Sequence, residues 1–348
     1  MHMADALLSP AVGGTMLAAS AGLAAYCSKK VGQEMDDSKV PLMGVLGAFI
    51  FASQMINFTI PATGSSGHLG GGLILAILLG PYAAFLVMAS VLTVQGLFFA
   101  DGGLLALGAN IFNLGFFPCF VALPLFYKPI VGSSPTPRRI TVAATLAGVA
   151  GLQLGALGVV LETVASGISE LPLTTFLLLM QPIHLGIGLV EGVVTAAVVS
   201  FVWKAQPEIM AKAADHQALG GISVKKVVTG FAVVTLITGG GLSWFASTNP
   251  DGLEWSIAKI AGGGGELKSS GGIHGALANL QEKLAFLPDY GFRSSKEESA
   301  EGESGHAPAW PAVAPGTSVS GLIGGILTLL VAIAVGWLLR RTHTKPLQ

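Results

Sequence analysis

Of 348 residues only 18 are Lys or Arg and 19 are Asp or Glu, so 11% of the side chains carry formal charge, where a soluble domain carries about 25%. Hydrophobic residues reach 52%, mean hydropathy is +0.70, and the 88 residues from Val40 to Tyr127 hold one charged side chain, Asp101. This excludes a water-soluble globular protein. The net charge of -1, with no basic patch interleaved with aromatics, excludes nucleic-acid binding. Glycine, at 48 residues, is roughly twice its usual share of about 7%, a bias that close-packed membrane helices accept. The composition describes an all-α, polytopic helical membrane protein.

From Met1 to Ser28 there is no Lys or Arg, and Asp5 stands near the start. A cleavable export signal needs a positive stretch ahead of its apolar core, so the first segment is expected to stay attached. Apolar stretches follow at residues 6–27, 40–58, 69–127, 140–163, 173–203, 227–246 and 318–339. The 59 residues of 69–127 amount to nearly 90 Å of helix at about 1.5 Å per residue, close to three crossings of a ~30 Å hydrocarbon core. Gly80-Pro81 and Asp101-Gly102-Gly103 are the expected breaks. The total is nine spans.

Lys29 and Lys30 follow the first span, and the positive-inside rule puts that end in the cytoplasm and Met1 outside. With this orientation 13 of the 18 basic residues fall in cytoplasmic segments and none in the short outer loops 59–68 and 164–172. The C-terminus is then cytoplasmic, and the protein is expected in the cell membrane. Residues 1–206 form a seven-span block, 207–226 a cytoplasmic linker, and 227–348 a two-span unit. That unit has spans at 227–246 and 318–339 and a polar extracytoplasmic segment at 247–317. This segment is rich in Gly, Ser, Glu and Pro, including Gly262 to Gly265 and Lys296 to Gly305, and is expected to be partly disordered. Cys27 and Cys119 lie in or beside apolar runs and are expected to serve packing.

Polar residues are scarce in such a chain, so those near the outer surface are informative. His2 follows the first residue, and His68 lies in the flexible outer loop Thr63-Gly64-Ser65-Ser66-Gly67-His68-Leu69-Gly70-Gly71-Gly72. If Met1 keeps a free amine, its nitrogen, the deprotonated amide of His2 and the His2 imidazole Nδ1 can chelate one metal in a five- and then a six-membered ring. A fourth nitrogen from His68 completes a square plane, the geometry of Ni(II) and Cu(II) rather than of Mg, Ca or structural Zn. Such binding releases protons and weakens in acid. The alternative is a histidine on a frayed end and another solvated in a glycine loop.

The opening Met1-His2-Met3-Ala4-Asp5-Ala6-Leu7-Leu8-Ser9-Pro10 and the Ser66-Gly67-His68-Leu69-Gly70-Gly71-Gly72 loop resemble the CbiM/NikM family, the substrate-binding S components of energy-coupling factor transporters for cobalt and nickel. Leu107-Gly108-Ala109-Asn110-Ile111-Phe112-Asn113-Leu114-Gly115 and His184-Leu185-Gly186-Ile187-Gly188-Leu189-Val190-Glu191-Gly192 are similar to further motifs of that family, which together span about residues 1–206. Asn249-Pro250-Asp251-Gly252-Leu253-Glu254-Trp255 resembles the signature of the PDGLE domain, the NikN/CbiN-type accessory unit. The resemblance implies a seven-span S component with metal held at Met1, His2 and His68. It implies no prosthetic group, with Ni(II) or Co(II) as cargo, for metalloenzymes or cobalamin synthesis. Its implied partners are a transmembrane coupling (T) subunit and a pair of cytosolic ATPase subunits.

Asn110 and Asn113 share a helical face and are candidates for holding the N-terminal segment or His68; the alternative is an interhelical hydrogen bond inside the bundle. Ser65 and Ser66 are candidates for similar work, or plain turn residues. His184 and Glu191, two helical turns apart, suggest either a proton or metal relay or, with Gln181, a packing stripe or partner contact, and His184 is expected some distance from the N-terminal site. Glu162 and Glu170 could attract cations or cap a span as solvated ends. There is no phosphate loop and no His-Glu-x-x-His, so ATP hydrolysis must come from other subunits and the chain is expected not to be an enzyme. Two other functions fit the composition: a proton-coupled secondary transporter, and a membrane metal sensor or scaffold recruiting partners through 247–317.

Overall fold

The computed structural model describes residues 2–169, 171–260, 271–293 and 310–343, and is almost entirely helical. The first unit runs α1 (Pro10–Val31), α2 (Lys39–Gln54), β1 (Phe58–Ile60), β2 (Ser65–Gly67), α3 (Gly72–Leu79), α4 (Pro81–Phe99), α5 (Leu107–Val131), α6 (Pro137–Ser166) and α7 (Leu173–Ala205). There follow α8 (Pro207–Ala214), α9 (Lys225–Gly240), α10 (Gly252–Ile260), α11 (Gly272–Leu284) and α12 (Pro315–His343). Gly262 to Gly265 and Lys296 to Gly305, expected to be disordered, lie outside the described residues.

Local chemistry sets the helix boundaries. Ser9 accepts the Val12 N–H at 3.4 Å and Pro10 opens α1; Thr136 accepts the Arg139 N–H at 3.2 Å and Pro137 opens α6. In both, a side-chain oxygen satisfies an orphan donor, and proline sits where its missing N–H costs nothing. Two expected divisions of the long apolar stretch occur: Gly80, with φ +82°, precedes Pro81, and a non-helical loop separates α4 from α5 around Asp101.

Six helices among the described residues, α1, α4, α5, α6, α7 and α12, are long and apolar enough to cross a membrane. Three of the nine expected spans are shorter: α2 and α9 have 16 residues each and α3 only 8. The expected edges therefore shift. The run expected from residue 6 becomes α-helix only at Pro10, and that expected from residue 69 only at Gly72, because the preceding residues build the end of the bundle that carries the His68 loop.

Between α6 and α7 the backbones almost touch: a Cβ added to Gly192 would stand 2.3 Å from Thr145 Cα. Small residues permit such an approach where lipid gives helices no hydrophobic drive to associate. The C-terminal unit is not a separate appendage. Its α12 lies along α2, with Gly324 under the Phe51 ring, and α9 meets α12 at Gly239 and Gly321. At the end remote from the His68 loop, buried Lys39 donates to Glu34 at 2.7 Å, and His216 reaches the same carboxylate at 3.3 Å.

Candidate metal site

The two ends of the first unit's outermost chain segments meet at one point. The hairpin β1–β2 pairs Phe58 with Gly67, Thr59 with Ser66 and Ile60 with Ser65, and delivers His68 to the bundle interior, where it is 8% exposed. Its Nδ1 lies 3.0 Å from the Leu69 carbonyl. A carbonyl only accepts, so Nδ1 carries the proton and Nε2 presents a lone pair, the usual arrangement of a metal-ligating histidine. Burial holds the imidazole well below its ordinary range, at about 3, so the ring is neutral.

His2 lies beside it. The two ring centroids are 5.0 Å apart and the planes differ by 11°. The Nδ1 of His2 is 3.2 Å from Asp101 Oδ1, and its Nε2 has no partner among the described residues. Met1 lies outside them. No three His, Cys, Asp or Glu side chains converge as a metal cage among the described residues. A metal held between His2 and His68 would need donors of another kind.

The N-terminal segment is tied down along its length. Met3 is buried, its N–H donates to Asn110 Oδ1 at 2.8 Å, and Asn110 Nδ2 donates back to the Met3 carbonyl at 3.3 Å. Asp5 Oδ1 accepts the Leu105 and Ala106 N–H groups at 2.7 and 3.0 Å. Asn113 does otherwise: its Nδ2 donates to Glu162 Oε2 at 2.8 Å, an α5–α6 hydrogen bond of the interhelical kind. Ser65 shares a hydroxyl contact with Thr63 at 2.7 Å within the hairpin turn. Gln181 and Gln153 exchange side chain to carbonyl bonds between α6 and α7. Glu170 is outside the described residues.

Ser66 faces the C-terminal unit. Its N–H donates to the Pro250 carbonyl at 2.8 Å and its hydroxyl to the Asn249 carbonyl at 2.7 Å. The next residues start α10 with a capping box: Asp251 Oδ1 accepts the Leu253 and Glu254 N–H groups at 2.9 and 2.8 Å, while Glu254 Oε2 accepts the Asp251 N–H at 3.3 Å. His184 packs against this turn. A Cβ on Gly252 would stand 3.3 Å from His184 Cε1, because the turn descends between β2 and α7. His184 Nδ1 bonds the Met180 carbonyl at 2.8 Å, and its Nε2 has no partner among the described residues. Glu191, on the same face, accepts the Gly70 and Gly71 N–H groups at 2.9 Å each.

Two residues at the site escaped the sequence reading. Asp101 bridges His2 and Tyr290, whose hydroxyl donates to Asp101 Oδ2 at 2.5 Å. Burial alone would raise the Asp101 carboxyl, yet His2 and the Tyr290 hydroxyl hold it below the ordinary carboxylate range. Its isolation as the one charge in 88 residues was a usable signal; Tyr290, far along a polar segment, offered none. The C-terminal unit also reaches the N-terminal segment through His274 Nε2 and the Leu8 carbonyl, 2.8 Å apart, and the end of α4 and the α4–α5 loop through Gln281 Nε2, which donates to the Gly96 and Gly102 carbonyls.

Comparison with known proteins gives these contacts a family. The family model described as cobalt uptake substrate-specific transmembrane region matches residues 2–209, and the PDGLE domain matches residues 225–341. The fused nickel transport protein NikMN of Rhodobacter capsulatus is 31% identical over 313 residues, 83% of this chain and 88% of that protein. The cobalt transport protein CbiM of Sorangium cellulosum is 31% identical over 181 residues, 51% of this chain and 79% of that protein. A crystal structure described as a truncated transition metal transporter superposes with a TM-score of 0.53 at 31% identity, covering 59% of this chain and 99% of that one. The chain therefore belongs to the CbiM family of membrane transport proteins and carries a PDGLE domain behind its family region.

Proposed function

We propose that this protein is the substrate-capture subunit of an energy-coupling factor importer for nickel, cobalt or both. The ion is held by the Met1 amine, the His2 amide and imidazole Nδ1, and the His68 imidazole. Residues 1–206 form the capture unit, 207–226 a cytoplasmic linker and 227–348 the PDGLE unit, with the N-terminus extracytoplasmic. ATP hydrolysis comes from cytosolic partners working through a transmembrane coupling subunit. The fused nickel and cobalt transport proteins among its relatives support the cargo.

One observation carries the site: the His2 and His68 rings, 66 residues apart in sequence, stand 5.0 Å apart and nearly parallel. A metal–nitrogen distance of about 2 Å puts each ring centroid about 3 Å from the ion, so rings on adjacent corners of a square stand roughly 4.5 Å apart. On loading, His2 Nδ1 exchanges Asp101 for the ion. Square-planar nitrogen favours Ni(II) over Co(II).

The test is Ni(II) and Co(II) titration of the full chain, followed by visible absorption, beside the same chain with its Met1 amine acetylated. Acetylation keeps every side chain but removes the amine donor. Loss of the square-planar d–d band in it and in His68→Ala is expected; acetylated protein that binds like the parent would sink the site.

A further inference from the structure

The carboxylate of Glu191 is buried at 2% exposure, yet it touches neither histidine. It grips the loop that carries one of them. Gly70 and Gly71 follow His68 by two and three residues, and each Glu191 oxygen accepts one of their N–H groups at 2.9 Å. Consecutive N–H groups pointing one way form an anion-binding nest, and Gly71, at φ +76°, supplies the left-handed residue that bends it. On the other side of the same peptide, Gln54 Nε2 of α2 donates to the Gly70 carbonyl at 2.8 Å, and Gln95 Nε2 of α4 donates to Gln54 Oε1 at 2.9 Å.

A loop with glycine at 67, 70, 71 and 72 has few side chains of its own with which to fix a conformation. Its placement must come from the helices around it. A carboxylate is the group that suits two adjacent donors: an amide in its place would accept one N–H and turn its own NH2 toward the other, in a region with little water to repair the mismatch.

We propose that Glu191 is a positioning residue of the metal site, setting through the Gly70–Gly71 peptide where His68 presents Nε2. The proposal rests on the reading of His68 as a ligand. Because α7 runs from Leu173 to Ala205, it also makes Glu191 a contact, beside Ile187 on Gly67, through which displacement of α7 would reach the His68 loop.

The experiment is Ni(II) titration of the full chain, read by calorimetry and visible absorption, for Glu191→Gln, His68→Ala and the double variant. Glu191→Gln is expected to weaken Ni(II) about tenfold and shift the d–d band. Added to His68→Ala, it is expected to change nothing further. Unchanged affinity in Glu191→Gln overturns the proposal, and so does an equal loss with and without His68, which would mark general packing. If Glu191→Gln does not fold, Glu191→Asp keeps the charge but withdraws it by one methylene; a smaller loss that needs His68 supports the proposal, and no loss overturns it. If His68→Ala binds like the parent, the metal-site reading itself fails and this proposal falls with it. A loss in His68→Ala with none in Glu191→Gln defeats the proposal alone.

Discussion

At the residue scale the site depends on one histidine, His68, kept neutral by its surroundings. His68 is held at about 3 by burial, below the ordinary value near 6.5 of an unfolded chain. Between those values the unfolded state binds the extra proton and the folded state does not, so the stability at stake is full above about pH 6.5 and declines as pH falls toward 3. The His68 ring signals in nitrogen-detected NMR of the metal-free protein are therefore expected to stay flat from pH 8 to pH 5. A transition near pH 6.5 would show a solvated loop histidine. Asn110 makes a second residue-scale case. Its replacement by Ala leaves the buried Met3 N–H unpaired, at a cost of about 1–3 kcal/mol. Ni(II) binding is expected to weaken roughly tenfold or more, as calorimetry can measure.

At the element scale the C-terminal unit contacts the hairpin at Ser66, the N-terminal segment at Leu8, the end of α4 at Gly96 and the α4–α5 loop at Gly102. Asn110 and Asp5 secure the N-terminal segment independently, so His274→Ala is expected to leave Ni(II) affinity within a few-fold of the parent. Abolished binding would move His274 into the primary site.

How much of this was legible follows from the range of each interaction. Gly80-Pro81 announced a break because proline and glycine act on their own backbone. The Asp251–Glu254 pair is likewise a local capping box. The eight-residue length of α3 was hidden, since Gly70, Gly71 and Gly72 and the leucines after them form one apolar run in which loop and helix look alike. The packing of the turn around Gly252 against Ser66 and His184 was hidden for another reason: it joins residues far apart in the chain. Asn113 had two readings open until its partner, Glu162, was in view.

At the scale of the whole molecule, a bundle with no phosphate loop can capture an ion but has no fuel of its own. Vesicles containing this chain alone are expected to take up no Ni(II). Uptake is expected to need the coupling and ATPase subunits with ATP inside, and to persist when a protonophore collapses the proton gradient. Uptake by the lone chain that vanishes with the gradient would replace the proposal with a proton-coupled carrier.

The shortness of α3 has an electrical meaning. Eight residues at about 1.5 Å each leave roughly 12 Å of helix between the His68 loop and Gly80, in a hydrocarbon layer of about 30 Å. Gly80 lies beside the Glu34 and His216 cluster at the opposite end, so in a bundle that spans such a layer the loop would sit below the outer surface. A divalent ion seated there has already crossed part of the transmembrane field, and each full charge crossing 100 mV is worth about 2.3 kcal/mol. In the proposed orientation, with the N-terminus outside, a membrane negative within would pull the cation toward the proposed site, so capture itself would be voltage-assisted before any ATP is spent.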